Sequence, residues 1–274
     1  MPDRTPGRHA SPASKRPCGE SRRLVRERVN ILGVNVDPLS VAELHARILS
    51  IVREGGHALT LHVNIYGLNL CYRDSELRAF FNAAPVVFCD GAGVVLGARI
   101  LGRHLPKRIT YADWAWELMD FAERENLSLF FLGARPGVAR KAAARLKGRY
   151  PNLKIAGIHH GYFDGTVGGP ENEAVLRKIN ATRPDILLVG FGMPLQERWL
   201  MHNWDRIDAR VALTGGAVFD YVSEELKRGP RILTDNGFEW LARLLIEPKR
   251  LWRRYLIGNP LFLLRVLKQR LTDT

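Results

Sequence analysis

Between Asn30 and about Leu226 the chain alternates short apolar runs with longer amphipathic ones, and no other feature restricts its fold as much. The short runs are "HALTLHVN", "PVVFCDG", "LSLFFLGA", "LKIAGIHHGYF", "DILLVGFG" and "ARVALTGG". Most show little polar alternation, as expected of strands covered on both faces. The intervening stretches space their apolar residues helically, as Val41, Leu44, Ile48 and Val52 do in "VAELHARILSIV", with Ser40 as its N-cap. "LNLCYRDSELRAFFNAA", "YADWAWELMDFAEREN", "PGVARKAAARLKGRYP", "NEAVLRKINATRP" and "PLQERWLMHNWDRI" predict further helices, and "GGAVFDYV" a turn. The alternation predicts an α/β core with a mostly parallel sheet and helices on both faces. Ligands of such sheets sit beyond the carboxyl ends of the strands, so chemistry is sought at Asn64, Asp90, Gly133, Gly161, Gly192 and Gly215.

The two ends differ from this core. Residues 1–29 are rich in Arg, Pro, Ser and Gly and predict a disordered basic tail. Residues 226–274 carry no strand pattern and predict short helices broken at Pro248 and Pro260. The formal net charge is +13, and it is concentrated at these ends. Met1–Asn30 holds 8 Lys/Arg against 3 Asp/Glu, and Leu226–Thr274 holds 11 against 4. Basic ends on a nearly neutral core call for a polyanionic surface as partner. In the C-terminal segment Trp, Phe and Leu alternate with Arg and Lys, which suits an anionic membrane interface; a helical cap on the sheet with a solvated basic face is the other reading. No apolar run is long enough to span a bilayer, and the N-terminus lacks the apolar stretch of a secretory signal, so a cytoplasmic location is expected. Cys18, Cys71 and Cys89 show no metal-ligand spacing and are expected to be reduced.

Several stretches invite chemistry. "VVFCDGAGVVLG" resembles a dinucleotide fingerprint at first sight, but the sixth position is Leu96 rather than glycine. Asp113, at the distance of the required acid, starts a helix instead of closing a strand. Asp90, at a strand end before a glycine turn, is placed to take a proton from a hydroxyl or to cap the next helix; the residues alone leave both open. In "GFGMPLQERWL", Gly192 precedes a helix start where an anion could bind, with Gln196 and Glu197 in reach of a ligand there. Arg108 in "PKRITYADW" could clamp a diphosphate or be a surface charge. His159 and His160 point apart as neighbours on an extended chain and are taken as loop residues.

"HVN", "FCDGAGVV", "RITYAD", "FFLGARPGVARKAA", "HHGYF", "DILLVGFGMPLQERW", "GGAVFDYVS", "KRGP" and "FEWLARLLIEPKRLWRRY" follow one another over roughly Asn30 to Pro260. In this order they resemble the WecG/TagA/CpsF glycosyltransferases of bacterial surface-polysaccharide and teichoic-acid synthesis. The resemblance implies a Rossmann-like domain over 30–225 and a basic, membrane-docking helical appendage over 226–274. It implies an inverting transferase that moves a sugar of the N-acetylmannosamine, uronic acid or glucose type. The donor would be a UDP-sugar and the acceptor an undecaprenyl-diphosphate-linked sugar in exopolysaccharide or other cell-envelope synthesis. The enzyme would work as a peripheral protein on the inner face of the cytoplasmic membrane. The proposed base falls on Asp90, with Arg108 and Gln196 as functional partners and His62 and Asn64 at the adjoining strand end. The nucleotide-sugar pocket would involve Gly133, Tyr162, Gly192, Gln196, Glu197 and Asp220, and the lipid diphosphate Arg243, Arg250 and Arg253.

One departure stands out. Where the family usually has Thr-x-Asn, this chain has His62-Val63-Asn64, and an imidazole can donate to a sugar hydroxyl or share a proton with Asp90. No DxD-type metal motif stands out, so cationic side chains and amides are expected in place of a divalent ion, with no cofactor. The rival classes are an NAD(P)-dependent oxidoreductase and a basic nucleic-acid-binding protein. Nucleic acid is not the expected partner, and a homo-oligomer is compatible with the sequence.

Overall fold

A computed structural model describes residues 27–234 and 237–273. Most of the basic tail, residues 1–26 with Cys18, lies outside them. The described chain opens with a hairpin, β1 (Val29–Ile31) and β2 (Val34–Val36), followed by α1 (Val41–Arg53). Ser40 caps α1 as its sequence predicts: its hydroxyl accepts from the Glu43 amide while the Glu43 carboxylate accepts from the Ser40 amide. Then come β3 (Ala58–Val63), α2 (Ile65–Arg73), α3 (Ser75–Ala83), β4 (Val86–Cys89), α4 (Ala92–Ile100) and α5 (Tyr111–Arg124). The single helix expected over 68–84 is two, because Asp74 leaves the helical region and caps α3. β5 (Ser128–Gly133), α6 (Val138–Arg149), β6 (Lys154–His159), α7 (Pro170–Thr182), β7 (Ile186–Gly190), α8 (Leu195–Asn203) and β8 (Val211–Thr214) complete the sheet.

The six long-range strands form one parallel sheet in the order β4-β3-β8-β7-β5-β6. The two-residue period of a strand sends alternate side chains to opposite faces. Leu61, Val87, Phe130, Leu187 and Ala212 join one core with α2, α3, α4, α7 and α8. Phe88, Leu129, Phe131, Leu188 and Leu213 join the other with α1, α5 and α6. This is the Rossmann-like α/β arrangement that the sequence predicts. The turn expected after β8 is instead a short helix, α9 (Val218–Ser223), whose Val218, Phe219 and Val222 fill the second core.

The C-terminal segment is helical: α10 (Arg231–Thr234), α11 (Glu239–Ile246), α12 (Pro248–Trp252), a π-helical stretch (Arg253–Ile257) and α13 (Gly258–Thr272). Pro248 starts a helix as expected. Pro260 does not break one. The wide turn over 253–257 precedes it, and widening moves carbonyls clear of a proline ring that would crowd the residue four positions back. The helix therefore continues, and it docks. Phe262 and Val266 are fully buried in the first core, against α4.

Candidate active site

A cavity of about 1570 Å³ opens where the strands end and the C-terminal helices fold over them. Strand ends supply His62, Asn64, Asp90, Gly161, Gly192 and Gly215 to its wall, and the C-terminal helices supply Glu239, Arg243, Arg250, Arg254 and Tyr255. Arg108, Tyr162 and Asp220 line it as well. Eleven of the sequence-selected residues thus meet in one space: His62, Asn64, Asp90, Arg108, Gly161, Tyr162, Gly192, Gly215, Asp220, Arg243 and Arg250.

Asp90 sits at the floor because of its neighbours in the chain. Its amide donates to the Val63 carbonyl at 2.8 Å, which keeps it in line with the sheet. Gly91, with φ 111°, then turns the backbone through a region that only glycine enters freely, and α4 starts. The other glycines of this stretch serve packing. A side chain at Gly93 would strike Ile65 of α2, and a Cβ at Gly97 would come within 2.6 Å of Phe262. The glycine pattern that resembles a dinucleotide loop is a helix-packing pattern.

Burial raises the Asp90 carboxyl to about 6, against the opposing pull of Arg254, Arg243, Arg108 and a hydrogen bond from Thr110. At neutral pH it is therefore ionised yet basic enough to accept a proton. His62 is buried in β3, and burial lowers it to about 4, so it is neutral. Its Nδ1 lies 2.7 Å from the Thr214 carbonyl oxygen. Asn64 caps α2 by accepting from the Gly67 amide at 3.1 Å.

The arginines come from two directions. Arg108 donates to the Thr234 carbonyl and stands 3.6 Å from Glu239, so it ties the C-terminal segment to the floor. Arg243 lies over the Tyr221 ring at 5.6 Å and Arg254 over the Tyr66 ring at 4.6 Å. Arg253 is not on the cavity wall and stacks on Trp252. Its neighbour Arg254, in the same widened turn, lines the cavity instead of the Arg253 that the resemblance implies.

Three further positions differ from expectation. Gln196 and Glu197 are fully buried behind the wall and do not reach the cavity. Gln196 Oε1 accepts from the amides of Gly192 at 3.2 Å and Gly216 at 3.0 Å, and its Nε2 donates to Glu197 at 2.7 Å. It braces two glycine loops, and the Gly192 amide is used in that brace instead of facing an anion. Burial raises Glu197 to about 7. Gly133 is packed against the Gly190 backbone, so Ala134 and Arg135 line the cavity in its place. Sequence reading missed Arg254, Tyr66, Tyr111 and Glu239. Only the repeated basic residues after Leu226 hinted at one of them, Arg254.

Comparison with known proteins agrees with this geometry. Residues 29–274 match the glycosyl transferase WecG/TagA/CpsF family. Two similar curated proteins, from Staphylococcus aureus strains MRSA252 and NCTC 8325, are each called N-acetylglucosaminyldiphosphoundecaprenol N-acetyl-beta-D-mannosaminyltransferase. Each is 29% identical over 243 residues, which span 88% of this chain and 92% of the relative. With the match running from the first strand to the last helix, the chain belongs to the WecG/TagA/CpsF family of glycosyl transferases.

Proposed function

We propose that this glycosyltransferase moves an N-acetylmannosamine-type sugar from a UDP-sugar to a sugar carried on undecaprenyl diphosphate, with inversion at the anomeric carbon. The observation that carries the reading is Asp90. It is a carboxylate with a pKa raised to about 6, at the floor of a cavity whose rim carries Arg243, Arg250 and Arg254. The acceptor hydroxyl attacks the anomeric carbon as Asp90 takes its proton. The departing nucleoside diphosphate and the lipid diphosphate both need positive charge, and the rim arginines supply it without a metal ion. Tyr162, largely exposed on the cavity wall, offers a ring face for the uracil, and Asp220 offers a carboxylate to ribose hydroxyls. The S. aureus relatives' names support both the acceptor and the transferred sugar.

The exposed C-terminal side chains support a membrane-surface location on the inner face. Leu245, Leu256, Ile257, Leu264, Leu267 and Leu271 are exposed, and Lys249, Arg250 and Arg253 lie among them in the chain. No helix among the described residues is long and apolar enough to cross a membrane.

The test is UDP release from a panel of UDP-sugars with a short-chain lipid-diphosphate N-acetylglucosamine acceptor, in the presence of EDTA. Acceptor-dependent release with the N-acetylmannosamine donor is expected. Release without acceptor, or with no donor in the panel, overturns the substrate assignment. Loss in EDTA that is restored by a divalent ion overturns the metal-free one.

A further inference from the structure

His62 faces Asp90 across the cavity floor, with Nε2 at 4.0 Å from Oδ2. Its tautomer is set by Thr214. The Thr214 carbonyl 2.7 Å from Nδ1 can only accept, so Nδ1 carries the proton and Nε2 holds a lone pair. The ring is fixed in that pose. Thr214 Oγ lies 2.9 Å from Nδ1, the Tyr111 ring meets it edge to face at 5.5 Å, and Phe88 flanks it at 6.2 Å. While Asp90 is ionised, two acceptors therefore face each other. Their spacing exceeds a hydrogen bond, as expected of two lone pairs with no proton between them.

We propose that His62 is the second half of the base: the proton that Asp90 takes from the acceptor hydroxyl is held between Asp90 Oδ2 and His62 Nε2. This rests on the transferase reading above. The hydroxyl O–H electron pair becomes the new bond to the anomeric carbon, and the pair of the anomeric C–O bond leaves with the diphosphate. The proton closes the gap between carboxyl and imidazole, and passes to water once product departs. A lone pair waiting opposite the carboxyl stabilises its protonated form, which strengthens Asp90 as a base. The other groups around Asp90 are the Cys89 thiol before it on β4, Arg254 from the π turn, Arg243 and Glu239 from α11, Arg108 and Thr110 before α5, Tyr111 on α5 and Tyr221 on α9. Of these, the three arginines and Thr110 hold the carboxyl down, so the imidazole opposes them.

Carboxyl-13C Asp labelling of the full-length protein tests this, with Asp90→Asn to assign the resonance. The wild-type Asp90 signal should titrate near 6. His62→Phe, which removes the acceptor, should lower that midpoint by about one unit, and His62→Gln, which keeps one, should restore it. In wild type the His62 Nε2 15N shift should follow the Asp90 titration, and it should stay flat over that range in Asp90→Asn. In turnover, His62→Phe should lose about tenfold in kcat with KM nearly unchanged, while His62→Gln keeps most of it. An unchanged Asp90 midpoint in His62→Phe, or a wild-type His62 resonance that ignores the Asp90 titration, overturns the proposal. Both resonances are read without sugar substrates. Failure of the pair is thereby separated from failure of the transferase assignment, which would show as coupled resonances with no turnover.

Discussion

At the scale of single residues, the site is governed by what burial does to Asp90. A carboxyl raised in the fold adds its full stability below its ordinary value of 3.8, and that contribution is lost as the pH rises through about 6. Above that, the ionised group costs the fold at most about 3 kcal/mol, the two-unit shift converted, less the relief from its remaining 21% exposure to the cavity. Asp90→Asn should therefore abolish transfer and yet raise Tm by a few degrees at pH 7.5, with the gain vanishing near pH 4. The wild-type rate should fall as pH drops below about 6, because the proton acceptor is then filled. Thermal melts at the two pH values, with a pH–rate profile, check this. A variant that melts lower at pH 7.5, or that still turns over, contradicts the assignment.

At the scale of elements, the largest side chain that seats α13 is an aromatic ring in a notch made by one glycine, with Val266 buried beside it. Phe262 is fully buried, and a Cβ at Gly97 would meet its ring at 2.6 Å. Phe262→Ala removes the ring and leaves a cavity, a change worth about 3–5 kcal/mol. Gly97→Val fills the notch and should drive α13 off α4. Both variants should free the C-terminal helices while the sheet remains folded. Hydrogen exchange should then rise in residues 239–273 and stay low in β3, β5, β7 and β8. Uniform protection across both regions in Gly97→Val would show that the notch is not what seats the helix. The same helices carry Arg243, Arg250 and Arg254, so transfer should fall in both variants although Asp90 is untouched.

At the scale of the whole molecule, charge and exposed apolar surface lie together on the C-terminal segment, while the sheet core is nearly neutral. A leucine side chain moved from water into an apolar phase gains about 1.5–3 kcal/mol, so a few of them decide whether the protein stays at a bilayer. Leu264 and Leu267 are exposed on α13, and changing both to Glu leaves the buried face intact. The Leu264→Glu/Leu267→Glu variant should float with anionic liposomes at least tenfold less than wild type, with an unchanged melting temperature. Equal flotation would place the contact elsewhere. Wild-type flotation should weaken with added salt, since the basic side chains among the leucines are screened.

The alternation of apolar runs and helical spacing was enough to determine the parallel α/β core. The five strands other than β6 at the edge hide both faces, and that requirement is written residue by residue. Asp90 and Asn64 were legible for the same reason, since strand ends are where such a sheet meets its ligand, whereas His62 stood out only against the family pattern. The tertiary structure alone decided what depends on close approach and on helical phase. A linear count placed Gln196 and Glu197 at a ligand, but packing turned them inward to brace the glycine loops. The resemblance pointed to Arg253, and in the folded chain its neighbour Arg254, in the same widened turn, lines the cavity instead. The spacing of the glycines after Asp90 already spoke against a dinucleotide loop, but what they are for, room for Ile65 and Phe262, is visible only in the packing. A sequence records which residues can be buried and where a chain can turn. Which side chain fills which gap follows only from the three-dimensional packing.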